Sequence, residues 1–342
     1  MNKPTLYIPV GLSGSGKSTI ATKIANENAN IVIISTDSIR KELTGNAENQ
    51  EQNDEVFNIF HNRIYENLVN KKNVIADATN LTIKSRRAIM NRIGRLDIKK
   101  VCYVLSKPYE QCKIDNKSRE KAVPDFVIHH QVRRFQVPFK GEGLDEIHIL
   151  NSKKYTKYNC TIEDMIKAMA NYDQKNPHHT MTLDKHSSFV SDLFINKMQE
   201  NGSKFNKNTN PFAIGSKIHD FGKLYTQTFD DEGIAHYIAH EAYGSYYALS
   251  QLTKPDGWSD KEILDMYWPK YTNLDSRWRL FRPNMLEEMH HSDWLNLYLN
   301  DDFFIKEDIE LLIPNIGENW RKRFGEYKYQ MLLYFNDCDR AR

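Results

Sequence analysis

The first 150 residues alternate between short apolar runs and longer segments whose apolar positions repeat every three to four residues. Short apolar runs between polar residues are typical of buried strands, and the longer repeat is typical of amphipathic helices. The predicted strands are Thr5–Val10, Ile31–Ser35, Asn73–Asp77, Lys100–Leu105 and Glu146–Leu150. The predicted helices between them are Ser18–Ala29, Glu55–Asn70, Ile83–Gly94 and Pro124–Phe135. This alternation predicts an α/β fold, a parallel sheet flanked by helices.

The pattern changes after Asn151–Tyr158. From Thr161 to the end, apolar residues recur at helical spacing and no convincing strand follows. A length of 342 residues also favours two domains over one. We therefore predict an α/β domain over residues 1–152 and an all-helical domain over residues 153–342.

Composition adds expectations about location. Hydrophobic residues make up 40% of the chain and charged residues 27%, which is ordinary for a globular protein. No apolar stretch approaches the length of a membrane span, and the N-terminus runs directly into the first predicted strand without a visible signal peptide. The four cysteines lie far apart, with neither paired zinc spacing nor a disulfide framework. We expect a cytoplasmic protein with no membrane partner.

Charge is distributed unevenly between the halves. Residues 1–150 carry 23 Lys and Arg against 17 Asp and Glu, whereas the remainder carries 24 against 28. The basic excess of the first half is compatible with a polyanionic substrate such as nucleic acid, without deciding the matter.

A phosphate-binding loop lies between the first predicted strand and the first predicted helix. Residues Gly11–Ser18 read Gly-Leu-Ser-Gly-Ser-Gly-Lys-Ser, and the strand, loop and helix order is the context that this motif requires. Lys17 reaches the β- and γ-phosphates, and the Ser18 hydroxyl ligates Mg²⁺. We expect ATP or another nucleoside triphosphate with Mg²⁺ to bind at Gly11, Ser13, Gly14, Ser15, Gly16, Lys17, Ser18 and Thr19.

Two carboxylates follow later strands. Asp37 comes just after the second predicted strand, and Asp77 ends the third. The carboxyl ends of parallel strands meet at one edge of a sheet, so we expect both residues to share a cleft with the loop. If a helix begins near Asp37, Arg40 lies on the same helix face as Asp37. Asp37 would then accept a proton from an attacking hydroxyl; the alternative is that it only caps the helix.

Four segments of the first half together resemble the phage-type polynucleotide 5′-kinase family: Gly11–Ser18, Ser35–Arg40, Asp77–Leu81 followed by Arg86-Arg87, and Ser118–Pro124. The resemblance implies a P-loop kinase domain that phosphorylates polynucleotide 5′-hydroxyl ends. It implies that Asp37 is the general base, that the acceptor contacts include Arg40 and Asp77, and that Arg119 is a lid arginine which binds the nucleotide and the transferring phosphoryl group.

The lid departs from the family pattern. In that family the lid often reads Arg-Asn-x-x-Arg, whereas Asp115–Arg119 here reads Asp-Asn-Lys-Ser-Arg. Either Lys117, Arg133 or Arg134 compensates for the missing arginine, or Arg119 acts alone. Small-molecule kinases share the loop and a lid, and they are the alternative interpretation of this half.

Histidine and aspartate residues cluster in the second half. His219-Asp220 follows an apolar helical run, with His186 upstream and His240 downstream. His290-His291 and the pair Asp337 and Asp339 come later. Imidazole and carboxylate groups suit a hydrolytic metal such as Mn, Fe, Co, Ni or Zn. The alternative is that these are scattered surface and core residues.

The order His, His-Asp and a distant Asp resembles the HD phosphohydrolase superfamily over roughly residues 175–342. The resemblance implies an all-α phosphohydrolase domain that holds one or two divalent transition metals. The implied ligands of the first metal are His186, His219, Asp220 and Asp339, with Asp339 preferred to Asp337. The implied ligands of the second are His240 with His290 or His291, and Lys223 is the implied catalytic lysine. The family's Gly-His-Glu element has Ala239 in place of glycine.

A kinase and a phosphohydrolase on one chain indicate an enzyme that heals broken nucleic-acid ends. One half would add a 5′-phosphate, and the other would remove a 3′-phosphate or a 2′,3′-cyclic phosphate. The resemblance implies RNA or DNA ends as substrates, RNA being favoured, a separate polynucleotide ligase as partner, and the cytoplasm of a bacterium or phage-infected cell. One alternative is a nucleoside or nucleotide kinase fused to an HD nucleotidase; the other is a non-catalytic, nucleotide-gated binding module.

Overall fold

The computed structural model describes residues 3–252, apart from 29, 48, 50, 120–121, 151–156, 178–179, 201–205, 207 and 209, and it also describes Cys338. The predicted metal ligands His290, His291 and Asp339, and the alternative Asp337, lie outside the described residues. The predicted domain boundary near residue 152 also falls outside them.

A five-stranded parallel sheet forms the centre of the first half, in the order β2-β3-β1-β4-β5. Its strands are β1 Thr5–Val10, β2 Ile31–Ser35, β3 Asn73–Asp77, β4 Lys99–Val104 and β5 Glu146–Ile149. The predicted parallel sheet is therefore confirmed, with shifts of one residue in the bounds of the last two strands. Strand β1 lies in the middle, and its side chains Leu6, Ile8 and Val10 are fully buried.

Helices cover this sheet. They are α1 Lys17–Glu27, α2 Thr36–Thr44, α3 Asn53–Val69, α4 Ile83–Ile93, α5 Tyr109–Lys117 and α6 Asp125–Arg133. Helices α1, α3, α4 and α6 confirm the predicted ones, whereas α2 and α5 are not predicted by the apolar pattern. Both helices are only nine residues long and each buries a polar side chain, Arg40 in α2 and Asn116 in α5, so too few apolar positions remain for a visible repeat.

The described part of the second half is mainly helical. Its helices are α7 Ile162–Ala168, α8 Leu183–Glu200, α9 Pro211–Lys217 and α10 His240–Gln251. A small hairpin that the sequence does not predict, β6 Thr228–Phe229 with β7 Ala235–His236, precedes α10. Among the described residues, no helix combines the length and the apolarity needed to cross a bilayer.

Contacts divide the chain into two compact units. Described residues up to 183 group with residues 220–252, so the hairpin and helix α10 belong to the same unit as the sheet. Residues 184–219 belong to the other unit. Part of the second half of the sequence therefore packs with the α/β fold.

Candidate functional site

The loop between β1 and α1 has the backbone geometry of an anion-binding loop. Gly14 has φ 79°, and a Cβ atom there would lie 2.2 Å from the carbonyl oxygen of Cys112 on helix α5, so only glycine fits. Lys17 is the first residue of α1. Its ammonium group folds over the loop and donates to the carbonyl oxygens of Gly11 (3.1 Å) and Leu12 (2.8 Å).

The ends of β2 and β3 lie beside this loop, as the sequence predicts. Ser35, the last residue of β2, pairs with Asp77, the last residue of β3. The loop after β3 is joined to the phosphate loop by a hydrogen bond from the Gly11 N–H to the Thr79 carbonyl oxygen, 3.2 Å long. The carboxylate that follows β2, Asp37, lies in the first turn of α2. These three segments therefore form one edge of the sheet.

Electrostatic interactions connect the charged groups at this edge. Burial lowers the pKa of Lys17 from 10.5 to about 8; the carboxylates of Asp77 and Asp37 oppose this shift, and the positive charge of Arg119 adds to it. Burial raises the pKa of Asp77, the Lys17 charge lowers it, and Asp37 raises it further. The exposed Arg119 thus acts on the same groups that the sequence assigns to the kinase site.

ATP binding is therefore expected to weaken in alkaline solution. Since the pKa of Lys17 is about 8, its ammonium group loses its proton as the pH rises through this value. A neutral amine attracts phosphate oxygens far less than an ammonium ion does. We expect the dissociation constant of a non-hydrolysable ATP analogue, measured by calorimetry, to rise by about tenfold between pH 7 and pH 9. The Lys17→Ala variant should bind weakly with a flat pH profile, and an equally steep profile in that variant would contradict the assignment.

Asp37 is positioned by Arg40. The Asp37 side chain is 71% exposed and accepts a hydrogen bond of 3.0 Å from the guanidinium of Arg40, which is 7% exposed. Arg40 also donates to the carbonyl oxygen of Ala47 and to the side chain of Asn53, each at 3.2 Å. The N-cap position of α2 is Ser35, so Asp37 does not have the capping role considered as an alternative. Arg40 as a contact to an acceptor phosphate stays a prediction.

The region around the lid shows how its charges are paired. Asp115, at the position where the family often has arginine, contacts the ammonium of Lys107 at 2.6 Å. Lys117 pairs with Asp125 at 3.2 Å. Of the basic residues considered as replacements for the missing arginine, Lys117 is therefore engaged by a carboxylate, while Arg133 and Arg134 are exposed on and after helix α6.

Other residues support the loop without a signal in the sequence. Gln131 of α6 accepts a hydrogen bond from the Ser13 N–H (2.8 Å) and donates one to the Ser13 hydroxyl (3.0 Å). Arg86, part of the family-like Arg-Arg pair, is fully buried against Glu142 with hydrogen bonds of 2.7 and 2.8 Å. It also donates to the carbonyl oxygen of Asn80, which shapes the loop after β3. No sequence pattern identifies the Gln131–Ser13 and Arg86–Glu142 contacts, because they join parts of the chain that are 118 and 56 residues apart.

In the second half, Asp220 lies in a network of polar contacts. Its carboxylate contacts the ammonium of Lys223 at 2.6 Å and a ring nitrogen of His240 at 3.3 Å. Lys223 is 5% exposed and donates also to Gln174 at 2.9 Å. A Cβ atom at Gly222 would lie 1.8 Å from the His240 carbonyl oxygen, so this close approach requires glycine. The structure thus brings together Asp220, Lys223 and His240, three of the predicted residues.

His186 and His219 also lie close together. Their ring centroids are 5.7 Å apart, and a ring nitrogen of one is within 4.8 Å of a ring nitrogen of the other. The Nδ1 atom of His219 donates to the carbonyl oxygen of Ser216 at 2.7 Å. This contact selects the tautomer in which Nε2 carries the lone pair, which is the arrangement found in metal-ligating histidines.

Ala239 has a left-handed backbone conformation. It has φ 65° at the N-terminus of helix α10, a conformation that glycine adopts most readily. An alanine in this left-handed conformation is strained.

Comparison with known proteins identifies a family match and a relative of this chain. The AAA domain family matches residues 6–138. The L-seryl-tRNA(Sec) kinase of Methanococcus maripaludis is 32% identical over 175 residues, which cover 50% of this chain and 68% of the relative.

Solved structures give more distant similarities. A chain of the Pnkp1/Rnl/Hen1 complex is 24% identical with a TM-score of 0.31, over 37% of this chain and 43% of that chain. A fungal RNA kinase is 14% identical with a TM-score of 0.32, over 65% of this chain and 98% of that chain. The protein thus spans less than half of the first of these solved chains.

Proposed function

We propose, since this chain belongs to the family of P-loop kinases that includes the L-seryl-tRNA(Sec) kinase of Methanococcus maripaludis, that it transfers the γ-phosphoryl group of ATP to the 5′-hydroxyl end of a polynucleotide. The observation that carries the proposal is the placement of Asp37. This exposed carboxylate is held by the buried Arg40 and acts electrostatically on Lys17 of the phosphate loop. A hydroxyl acceptor bound beside Asp37 would therefore face the terminal phosphate of ATP.

The reaction follows from these positions. Asp37 accepts the proton of the attacking hydroxyl while the oxygen–phosphorus bond forms and the bond to ADP breaks. Lys17 and Arg119 stabilise the negative charge on the phosphate oxygens. Ser18 is exposed at the start of α1, directly after Lys17, so its hydroxyl fits a ligand of Mg²⁺. When bound, Mg²⁺ would neutralise part of the negative charge of the ATP phosphates.

Helix α6 carries a surface suited to the phosphates of a polymer. Burial lowers the pKa of His129, and the nearby positive charge of Arg133 lowers it further. Arg133 and Arg134 are both exposed at the end of this helix, so positive charge is concentrated here. Within the part of the chain that the structure describes, no carboxylate forms an ion pair with Arg133. Phe126 on the same helix is 72% exposed and offers a ring on which a base can stack.

Binding of an oligonucleotide acceptor should therefore depend on salt. Each phosphate contact to single-stranded nucleic acid contributes about −0.7 to the slope of log affinity against log salt. We expect the combined change Arg133→Gln with Arg134→Gln to reduce this slope by about 1.4. The measurement is the KM for a 5′-hydroxyl oligonucleotide over a salt series. Arg95→Gln, at another exposed arginine, is the matched control and should leave the slope unchanged.

Phosphorylation of free nucleosides distinguishes a polynucleotide 5′-kinase from the main alternative, a kinase of nucleotide metabolism. A nucleoside lacking a 3′-phosphate should be a poor acceptor because it cannot use the basic surface of α6. Efficient and salt-insensitive phosphorylation of free nucleosides would instead support a kinase of nucleotide metabolism.

The relative from Methanococcus maripaludis favours a second candidate for the acceptor. Its name is that of a seryl-tRNA kinase, and its 32% identity to this chain is a specific observation. An aminoacyl-tRNA hydroxyl is therefore the alternative acceptor. Seryl-tRNA included in the same assay separates the two acceptors, because the 5′-end proposal expects phosphate on the polynucleotide end.

For the second half, we propose a divalent metal site with phosphohydrolase activity. His186 and His219 supply neighbouring ring nitrogens, the tautomer of His219 suits ligation, and Asp220 is the next residue in the chain. These donors fit Mn, Fe, Co, Ni or Zn. When bound, such a metal lowers the pKa of its water and orients a phosphate group. Lys223 and His240, which contact Asp220, would hold the carboxylate in place.

Together, the two activities would heal both ends of a broken RNA or DNA strand. The products, a 5′-phosphate and a 3′-hydroxyl, are what a separate polynucleotide ligase requires. We therefore propose such a ligase as the functional partner.

A further inference from the structure

We infer that Lys107 is a positioning residue for the phosphate loop, and that Tyr246 of helix α10 holds Lys107 in place. The second half of the chain thus completes the kinase site. This inference rests on the proposed kinase function, because its effect is expressed through ATP.

Lys107 contacts the phosphate loop from the side of helix α5. It follows strand β4, and its ammonium donates to the carbonyl oxygen of Gly14 at 2.8 Å. Asp115 accepts from the same ammonium at 2.6 Å, and Gln111 donates to the other oxygen of that carboxylate at 2.6 Å. The Lys107 side chain is only 14% exposed. It is therefore held between a helix and the loop.

Two hydrogen bonds fix the peptide group between Gly14 and Ser15, one at its carbonyl oxygen and one at its N–H. The carbonyl of Gly14 is bound by Lys107, and the following N–H, that of Ser15, donates to the Leu12 carbonyl oxygen at 3.1 Å. A carbonyl oxygen that turned toward a bound phosphate would repel it. Holding the Gly14 oxygen on Lys107 therefore preserves the loop shape in which N–H groups face the anion.

Tyr246 fixes the backbone of Lys107. Its hydroxyl donates to the Lys107 carbonyl oxygen at 2.6 Å and lies 3.8 Å from the sulfur of Cys112. The ring is fully buried and meets Phe135 edge to face, with centroids 5.1 Å apart. Burial raises the pKa of Tyr246 well above its ordinary value of 10, so the hydroxyl keeps its proton and can donate at neutral pH. Helix α10 thereby supports the loop from a distance of 139 residues along the chain.

Four single variants and one double variant test this arrangement. Tyr246→Phe removes only the hydroxyl, and Tyr243→Phe is the matched control because that buried hydroxyl binds His129 and not the loop. Lys107→Met removes the contact to Gly14, and Lys107→Arg restores a cation. The readouts are the dissociation constant of a non-hydrolysable ATP analogue, KM and kcat for ATP, and the melting temperature.

We expect Tyr246→Phe to weaken binding of the ATP analogue by about 3- to 10-fold and Lys107→Met by at least about tenfold. Lys107→Arg should recover part of the loss, and Tyr243→Phe should bind as the wild type does. The double variant Tyr246→Phe with Lys107→Met should bind no more weakly than Lys107→Met alone, because both act through one contact.

Equal affinity of Tyr246→Phe and Tyr243→Phe, or wild-type affinity in Lys107→Met, would overturn the inference. Binding of the ATP analogue needs no acceptor, so a protein that binds it but phosphorylates no polynucleotide would refute only the proposed acceptor. A wild-type protein that does not bind the analogue would refute both the inference and the kinase.

Discussion

Asp37→Asn is expected to lower the rate of 5′ phosphorylation by about 10²- to 10⁴-fold, the usual contribution of a general base. The asparagine oxygen can still accept the hydrogen bond from Arg40, which is 3.0 Å long in the native protein. The amide cannot take a proton from the attacking hydroxyl. The loss should therefore fall on kcat, while the KM for ATP and the melting temperature stay close to those of the wild type.

The control for this change is Asp54→Asn, at an exposed carboxylate near the start of the next helix. It should leave phosphorylation unchanged. If Asp37→Asn retained nearly full kcat, Asp37 would not be the base. If it abolished 3′-end hydrolysis equally, the two activities would not reside in separate sites.

His219→Ala is expected to eliminate 3′-end hydrolysis and to release bound transition metal while 5′ kinase activity survives on Mg²⁺. Loss of a group that only orients a metal ligand typically costs about 10- to 100-fold, so loss of the ligand itself should cost more. Metal content is measured by elemental analysis, and hydrolysis is measured on an oligonucleotide with a 3′-phosphate.

His236→Ala provides the matched control because this histidine is exposed in the β6–β7 hairpin and pairs with Asp230. It should retain both metal and hydrolysis. Removal of the 3′-phosphate by metal-free wild-type protein in the presence of a chelator would contradict the metal assignment, and the two-ended healing function would fail with it.

The sheet is predictable from the sequence because its strands are short aliphatic runs with buried side chains, such as Leu6, Ile8 and Val10 of β1. Helix α2 is only a conditional expectation from the sequence, because the residue that it buries beside Ile39 is an arginine and the apolar pattern alone does not indicate a helix. The burial of Arg40 becomes favourable only when Asp37 and other acceptors are in place, and these partners cannot be inferred from periodicity.

Kinase-site residues are predictable from the sequence where they lie next to one another along the chain. The phosphate loop is one such segment, and Asp77 follows from the rule that parallel strands end at one edge. Gln131, Lys107 and Tyr246 are not predictable in this way. Each supports the loop through a contact between distant parts of the chain, which only the folded arrangement of α5, α6 and α10 creates.

The most direct test follows the labelled γ-phosphate of ATP onto an RNA oligonucleotide that has a 5′-hydroxyl and a 3′-phosphate, with Mg²⁺ and Mn²⁺ present and both ends analysed. We predict label on the 5′ oxygen of the oligonucleotide, little label on free nucleosides, and no transfer by Lys17→Ala. Equal labelling of free nucleosides, or an unlabelled 5′ end with a protein that binds ATP, would contradict a polynucleotide 5′-kinase.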